Sequence, residues 1–252
     1  MNNWFNEIGA GCELPASAAR DLLDSGFVVI PGAVATERLA QLADAYDLAV
    51  ASAPAADLSI GSSTTRVHDF VNRGAEFDQL YVYRPILEAC YRVIGQPFKL
   101  SSLLARTVRP HSQAQPLHID SRSDTDGWPM VGFIVMVDDF RKDNGATRFV
   151  PRSHKWPAIP GDFMKDLTSD HECQVLACGA AGSVIVYNGS VWHGHTANRS
   201  REPRRSVQGA YIRRDAKPWA EWATRIRPET LGRIGGLAGY LLDLESNDRS
   251  HA

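Results

Sequence analysis

The chain has 252 residues, 44% of them hydrophobic and 22% charged, with 27 lysines and arginines against 29 aspartates and glutamates for a net charge of −2. This balance excludes a disordered chain and leaves no basic excess for neutralising nucleic-acid phosphates. The longest apolar stretch, Met130 to Val137, is too short to cross a bilayer, so no membrane partner is expected either. No positive leader followed by an apolar segment opens the sequence. Four dispersed cysteines, Cys12, Cys90, Cys173 and Cys178, form no C-x-x-C pair and read as reduced thiols of a cytoplasmic protein.

The helical signal comes first. Thr36 is placed as an N-cap, with Leu39, Leu42, Ala43, Tyr46 and Ala49 following on one apolar face. A second helical stretch runs from about Phe77 to Ile94, where Pro85 should open a new helix and Gly95-Gln96-Pro97 should close it. Beyond Pro97 the pattern changes to short β-type runs: Phe98 to Val108, Leu117 to Asp120, Val131 to Val137, Thr147 to Val150, Gln174 to Ala177, Ser183 to Tyr187, His193 to Ala197, and Ser206 to Arg213. Many short strands without regular helical crossovers predict an antiparallel sandwich or barrel, with Val131 to Val137, apolar on both faces, as a central strand. Trp219 to Arg225 and Thr230 to Leu244 read as terminal helices interrupted at Gly235-Gly236, and Ser246 to Ala252 as a frayed tail. The economical reading is one domain over residues 1–252, mainly β with flanking α-helices, its β core at about 98–215.

The chemistry is concentrated at His118-Ile119-Asp120 on a predicted strand, where residues two apart project from the same face. Such a tripeptide alone is a weak signal. His193, at the start of another predicted strand, supplies a second imidazole, and two histidines plus one carboxylate match the facial triad of non-haem Fe(II) oxygenases. Arg204 and Ser206 share strand parity, so both should point inward, where an arginine needs an anion.

Together these residues resemble the phytanoyl-CoA dioxygenase (PhyH-like) family of Fe(II)/2-oxoglutarate-dependent oxygenases over roughly residues 20–215. The resemblance rests on His118-x-Asp120, the run Asn144-Gly145-Ala146-Thr147-Arg148-Phe149-Val150-Pro151-Arg152-Ser153-His154, His193-x-His195-x-x-Asn198 and Arg204-x-Ser206. It implies a double-stranded β-helix, a jelly-roll of cupin-like form, with Fe(II) on His118, Asp120 and His193. It also implies that the far carboxylate of 2-oxoglutarate lies on Arg204 with Ser206 nearby, and that Gln115 and Thr147 contact the co-substrate. Gln115 has the opposite strand parity to His118, so its role requires a bend, for which Pro116 is suited. The family often has Pro-Gly-Ser-His where this chain has Pro151-Arg152-Ser153-His154, and Gly-Asp where it has Gly182-Ser183; both differences concern loop conformation. Asp120 fills the position that related halogenases leave vacant, which disfavours halogenation. The implied activity is oxidation, foremost hydroxylation, of a small-molecule metabolite or natural-product intermediate with O₂, releasing succinate and CO₂. A Zn(II) hydrolase and a non-catalytic cupin-like binding protein are the alternatives.

Other residues carry blander expectations. His195 shares parity with His193 and is the second choice as ligand; His154 should order its loop; His111, His68 and His171 should face solvent. Trp192 should pack away from the ligand face. Asn72, Arg66 and Trp128 are candidates for the substrate pocket, because the N-terminal region and the loop after Asp120 should overhang the barrel mouth. The expected partner is a small-molecule substrate, with a homodimer allowed for.

Overall fold

The computed structural model describes residues 3–244, so the expected frayed tail at Ser246 to Ala252 lies outside the described residues. Its strands are β1 (Phe27–Ile30), β2 (Leu58–Ile60), β3 (Thr64–Val67), β4 (Phe98–Val108), β5 (Met130–Met136), β6 (Thr147–Val150), β7 (Val175–Ala177), β8 (Val184–Asn188), β9 (Trp192–His195) and β10 (Arg204–Arg213). The helices are α1 (Trp4–Gly9), α2 (Ala16–Ser25), α3 (Leu39–Ala51), α4 (Asp78–Tyr81), α5 (Arg84–Ile94), α6 (Trp222–Arg225), α7 (Pro228–Arg233) and α8 (Gly236–Leu241). The strands form a seven-stranded sheet, ordered β1-β8-β5-β10-β4-β3-β2, and a three-stranded sheet, β7-β6-β9, with every pairing antiparallel. This is the antiparallel two-sheet sandwich that the strand pattern predicts, in the jelly-roll form that the resemblance implies.

Strand parity determines what fills each layer. Val131, Phe133 and Val135 of β5 and Val184 and Val186 of β8 face the helical side, where they join Leu22 of α2 and Ile86 and Ala89 of α5 in the main core. Ile134, Met136, Ile185 and Tyr187, on the opposite faces of the same strands, meet Phe149 of the small sheet in a second cluster between the sheets. β4 carries one extra residue against β10, because Ala210 pairs with Ser102 and Tyr211 with Leu100. This bulge at Ser101 keeps Leu100 and Leu103 both on the helical side, and Ser101 ties down the chain that follows β10 by receiving the Trp219 amide on its hydroxyl and the Ala220 amide on its carbonyl.

Pro85 sits in the first turn of α5, and Gly95, at φ +68°, ends it, as expected from the missing proline N–H and the glycine stop. Other expectations need correction. Thr36 is not an N-cap: it opens a 3₁₀ turn, Thr36–Arg38, capped by Ala35 with no side-chain bond. Leu117 to Asp120 is not a strand, because Pro116 has no N–H to offer a ladder; His118 makes only an isolated bridge to His193. β1, β2 and β3 precede Phe98 yet join the seven-stranded sheet, so the β core extends beyond 98–215. The terminal helical signal resolves into the three short helices α6, α7 and α8.

Candidate active site

His193 lies on β9, and His118 hangs beside it on the irregular segment after Pro116, each donating its backbone N–H to the other's carbonyl, at 3.0 and 2.9 Å. Asp120 is held by its amide bond to the Gly189 carbonyl at 2.9 Å. One ligand atom from each of His118, Asp120 and His193 lies within 4.8 Å of the others. His118 Nε2 is 3.6 Å from Asp120 Oδ1, and His193 Nε2 is 3.5 Å from Asp120 Oδ2. The Nδ1 atoms of His118 and His193 sit 3.0 and 2.9 Å from the carbonyls of Pro116 and Val191. Those carbonyls accept, so each Nδ1 carries the proton and each Nε2 presents its lone pair to the common point.

Burial pushes His193 down to about 4, so it is neutral at physiological pH. Desolvation in the cleft pushes Asp120 up, but the His193 and His118 imidazoles and the Tyr187 hydroxyl outweigh it and hold the carboxyl well below its usual range. Tyr187 donates to Asp120 Oδ2 at 2.8 Å. Two imidazoles with their Nε2 atoms turned to one point, beside an ionised carboxylate, fit a divalent metal with coordination positions left open.

Arg204 and its neighbour Arg205 show what parity does on β10. Arg205 faces outward and forms ion pairs with Asp138 and Asp47, both at 2.7 Å. Arg204 faces inward, is 1% exposed, and has no carboxylate partner among the described residues. Its guanidinium lies 4.0 Å over the Phe140 ring, its Nη1 is 3.5 Å from Ser206 Oγ, and its buried Nε has no partner. Burial first, and Arg106 second, push Arg204 down to about 9. An orphaned buried cation facing inward on β10 fits the far carboxylate of a bound diacid.

Gln115 reaches the site across the bend at Pro116: its Nε2 is 3.4 Å from His118 Nε2, and its Oε1 accepts from Arg106 Nη2 at 2.7 Å. Thr147 is buried on β6 directly opposite His195. His195 is placed away from the ligand point, with Nε2 3.0 Å from Ser63 Oγ and Nδ1 2.8 Å from the Thr196 carbonyl. Trp192 is buried on the other face of β9, and its indole donates to the Ala158 carbonyl at 3.2 Å.

The cleft over these residues has a volume of about 370 Å³. Of the three substrate-pocket candidates it takes in only Arg66. Asn72 instead lines a separate cavity of about 810 Å³ and is bonded to Asp69, Arg225 and Arg227. Trp128 packs against His154, its ring centroid 5.3 Å away, and its indole donates to the His154 carbonyl at 3.4 Å. Larger cavities lie elsewhere, but the three-residue ligand set opens only into this one. The cleft also takes in Arg106, Gln208, Tyr187, His68 and Trp219. His68 was expected in solvent, yet it is half-buried and stacked on Trp219 with centroids 4.4 Å apart. The parity of β4 and β8 would have placed Arg106 and Tyr187 inside; no local signal marks Trp219.

The family description "phytanoyl-CoA dioxygenase (PhyH)" matches residues 22–206. The "multifunctional dioxygenase prhA" of Penicillium brasilianum is 27% identical over 244 residues, covering 87% of this chain and 80% of that protein. The "dioxygenase cdmD" of Talaromyces verruculosus is 37% identical over 131 residues, 47% of this chain and 41% of that protein. Among solved structures, HygX from Streptomyces hygroscopicus with nickel, 2-oxoglutarate and hygromycin B bound superposes with a TM-score of 0.67 at 18% identity, covering 82% of this chain and 90% of that one.

Proposed function

This chain belongs to the phytanoyl-CoA dioxygenase family and is a non-haem Fe(II)- and 2-oxoglutarate-dependent dioxygenase, and we propose that it hydroxylates a small-molecule metabolite at the mouth of the cleft, as one domain. The reading is carried by one observation: three ligand atoms converge in a cleft lined by β10, and the same strand carries a buried arginine, Arg204, with no acidic partner among the described residues. Bound there, iron(II) with 2-oxoglutarate and O₂ supplies the oxidising chemistry and yields succinate and CO₂.

The protein's residues provide geometry, charge and exclusion of water. His118, Asp120 and His193 hold the metal, with both imidazoles fixed by backbone carbonyls and the carboxylate steadied by Tyr187. Arg204 and Ser206 receive the far carboxylate of 2-oxoglutarate. Because Arg106 occupies Gln115 Oε1, the Gln115 amide N–H is turned toward the metal-facing side, where it donates to the co-substrate. Thr147 closes the site from β6. The substrate enters between Arg66 and Trp219. A cleft of this volume suits a small molecule, and HygX, which shares the fold, has hygromycin B bound. Asp120 is the one carboxylate among the described residues lining the cleft, which leaves none to serve as the general base of a zinc hydrolase.

Anaerobic addition of Fe(II) and 2-oxoglutarate tests this reading. The expected result is a visible metal-to-ligand charge-transfer band, abolished by Asp120→Ala and weakened by Arg204→Ala, with succinate released on admitting air. A protein that binds Fe(II) without forming the band would refute it.

A further inference from the structure

We propose that the substrate of this enzyme carries a carboxylate, received by Arg66 and Arg106 on the cleft wall; this deepens the reading above and rests on it. Arg66 of β3 and Arg106 of β4 are paired directly opposite each other in the antiparallel register, and both side chains line the cleft. Like charges in that relationship oppose sheet formation. Neither forms an ion pair among the described residues, although Arg73, Arg92, Arg205, Arg213, Arg227 and Arg233 all do. Arg106 has only the amide oxygens of Gln208 and Gln115, at 3.4 and 2.7 Å, and its buried Nε has no partner. Burial, then the Arg66 charge, push Arg106 down to about 10.

The co-substrate does not balance this charge. Iron(II) and the 2-oxoglutarate dianion cancel each other, and Asp120 is the one carboxylate against the two unpaired guanidiniums that line the cleft, to which the buried Arg204 on β10 adds a third, so the loaded site keeps a positive excess. This excess persists whichever arginines the co-substrate touches. A half-buried cation pair of this kind is stabilised by an oxyanion that can take a fork from each side. The remaining walls decide the rest of the ligand. Leu104, Met130, Ile212 and the half-exposed Trp219 offer hydrocarbon and aromatic surface and no further cation, which suits a monocarboxylate on an apolar body rather than a polyphosphate.

The test uses the full chain, anaerobic, saturated with Fe(II) and 2-oxoglutarate. It is titrated with straight-chain and polycyclic monocarboxylic acids, each paired with its methyl ester, and read by perturbation of the charge-transfer band and by substrate-stimulated succinate release in air. At least one acid should act at a concentration ten or more times lower than its ester. Arg66→Gln should weaken that acid about tenfold while changing the 2-oxoglutarate concentration needed for the band by less than about threefold; Arg66→Lys should restore part of the loss. Melting temperatures of both variants identify any failure to fold. Esters matching acids throughout the panel, or Arg66→Gln weakening 2-oxoglutarate as much as the acid, would overturn the proposal while leaving the band intact. Absence of the band in the unaltered protein would remove the oxygenase reading, and this inference with it.

Discussion

Gly132 of β5 lies opposite Tyr187 of β8, and the tyrosine ring occupies the space a side chain would need. A Cβ at this position would lie 2.2, 2.4 and 2.5 Å from Tyr187 Cζ, Oη and Cε1, so Gly132→Ala must displace the ring whose hydroxyl donates to Asp120 at 2.8 Å. Forcing the ring aside should cost about 1–3 kcal/mol in overpacking. Losing a hydrogen bond to a carboxylate removes about 1.5–3 kcal/mol more. Freeing a metal ligand from its outer partner typically weakens metal binding about 10–100-fold. Burial keeps the Tyr187 phenol protonated far above neutral pH, so it remains a donor under every assay condition. The assay is anaerobic Fe(II) titration together with thermal melting, run on Gly132→Ala, Tyr187→Phe, Tyr187→Ala and the double variant Gly132→Ala/Tyr187→Ala. Tyr187→Phe should weaken the metal with little change in melting temperature, and Gly132→Ala should lower both. In the Tyr187→Ala background the added methyl has room, so it should cost almost nothing. If Gly132→Ala costs the same in both backgrounds, the ring is not what it displaces and the reasoning fails.

Arg204→Met removes a buried cation that lacks an acidic partner among the described residues, so the protein without co-substrate should melt no lower than the parent and gain up to about 4 kcal/mol, while 2-oxoglutarate binding weakens; a clear loss of stability would contradict this. His195→Gln should keep Fe(II) affinity nearly unchanged and lose about 1–2 kcal/mol of stability, because His195 bonds Ser63 and Thr196 rather than the ligand point. A large drop in metal affinity would instead make His195 a ligand. Arg148 is fully buried and donates to the carbonyls of Gln115, Leu167, Thr168 and Ser169. Arg148→Met should therefore cost about 3–5 kcal/mol, with new protease cleavage between residues 166 and 170; unchanged resistance there would show that the loop holds itself.

Where a strand is long and its faces differ in chemistry, the sequence discloses both element and orientation. Arg204 and Ser206 were placed inward by counting alone, and the outward Arg205 with its acidic partners shows why the count works. The same arithmetic misled at His118 and Asp120: they do face a common point, but from an irregular segment, because alternation describes regular strands and Pro116 prevents one. β1 and β3 are four residues long and are made by pairing with the distant β8 and β4, which no local window records, while β2 is a three-residue edge strand paired only with its neighbour β3. Trp128 and Asn72 were assigned by proximity in the chain, which does not say where a loop folds. Trp219 reaches the cleft only because the bulge at Ser101 ties it there, a fact about β4 and not about its own neighbours.

The unequal anchoring of the three ligands has a kinetic corollary. One imidazole is fixed in a sheet, while the other and the carboxylate ride on a short loop fastened at its ends by the bridge to His193 and the bond to Gly189. An ion captured there closes a clasp between loop and sheet, so amide hydrogen exchange at residues 117–121 should slow on loading far more than exchange at residues 192–195. The site would then report its own occupancy through backbone protection, without turnover and before any substrate is known.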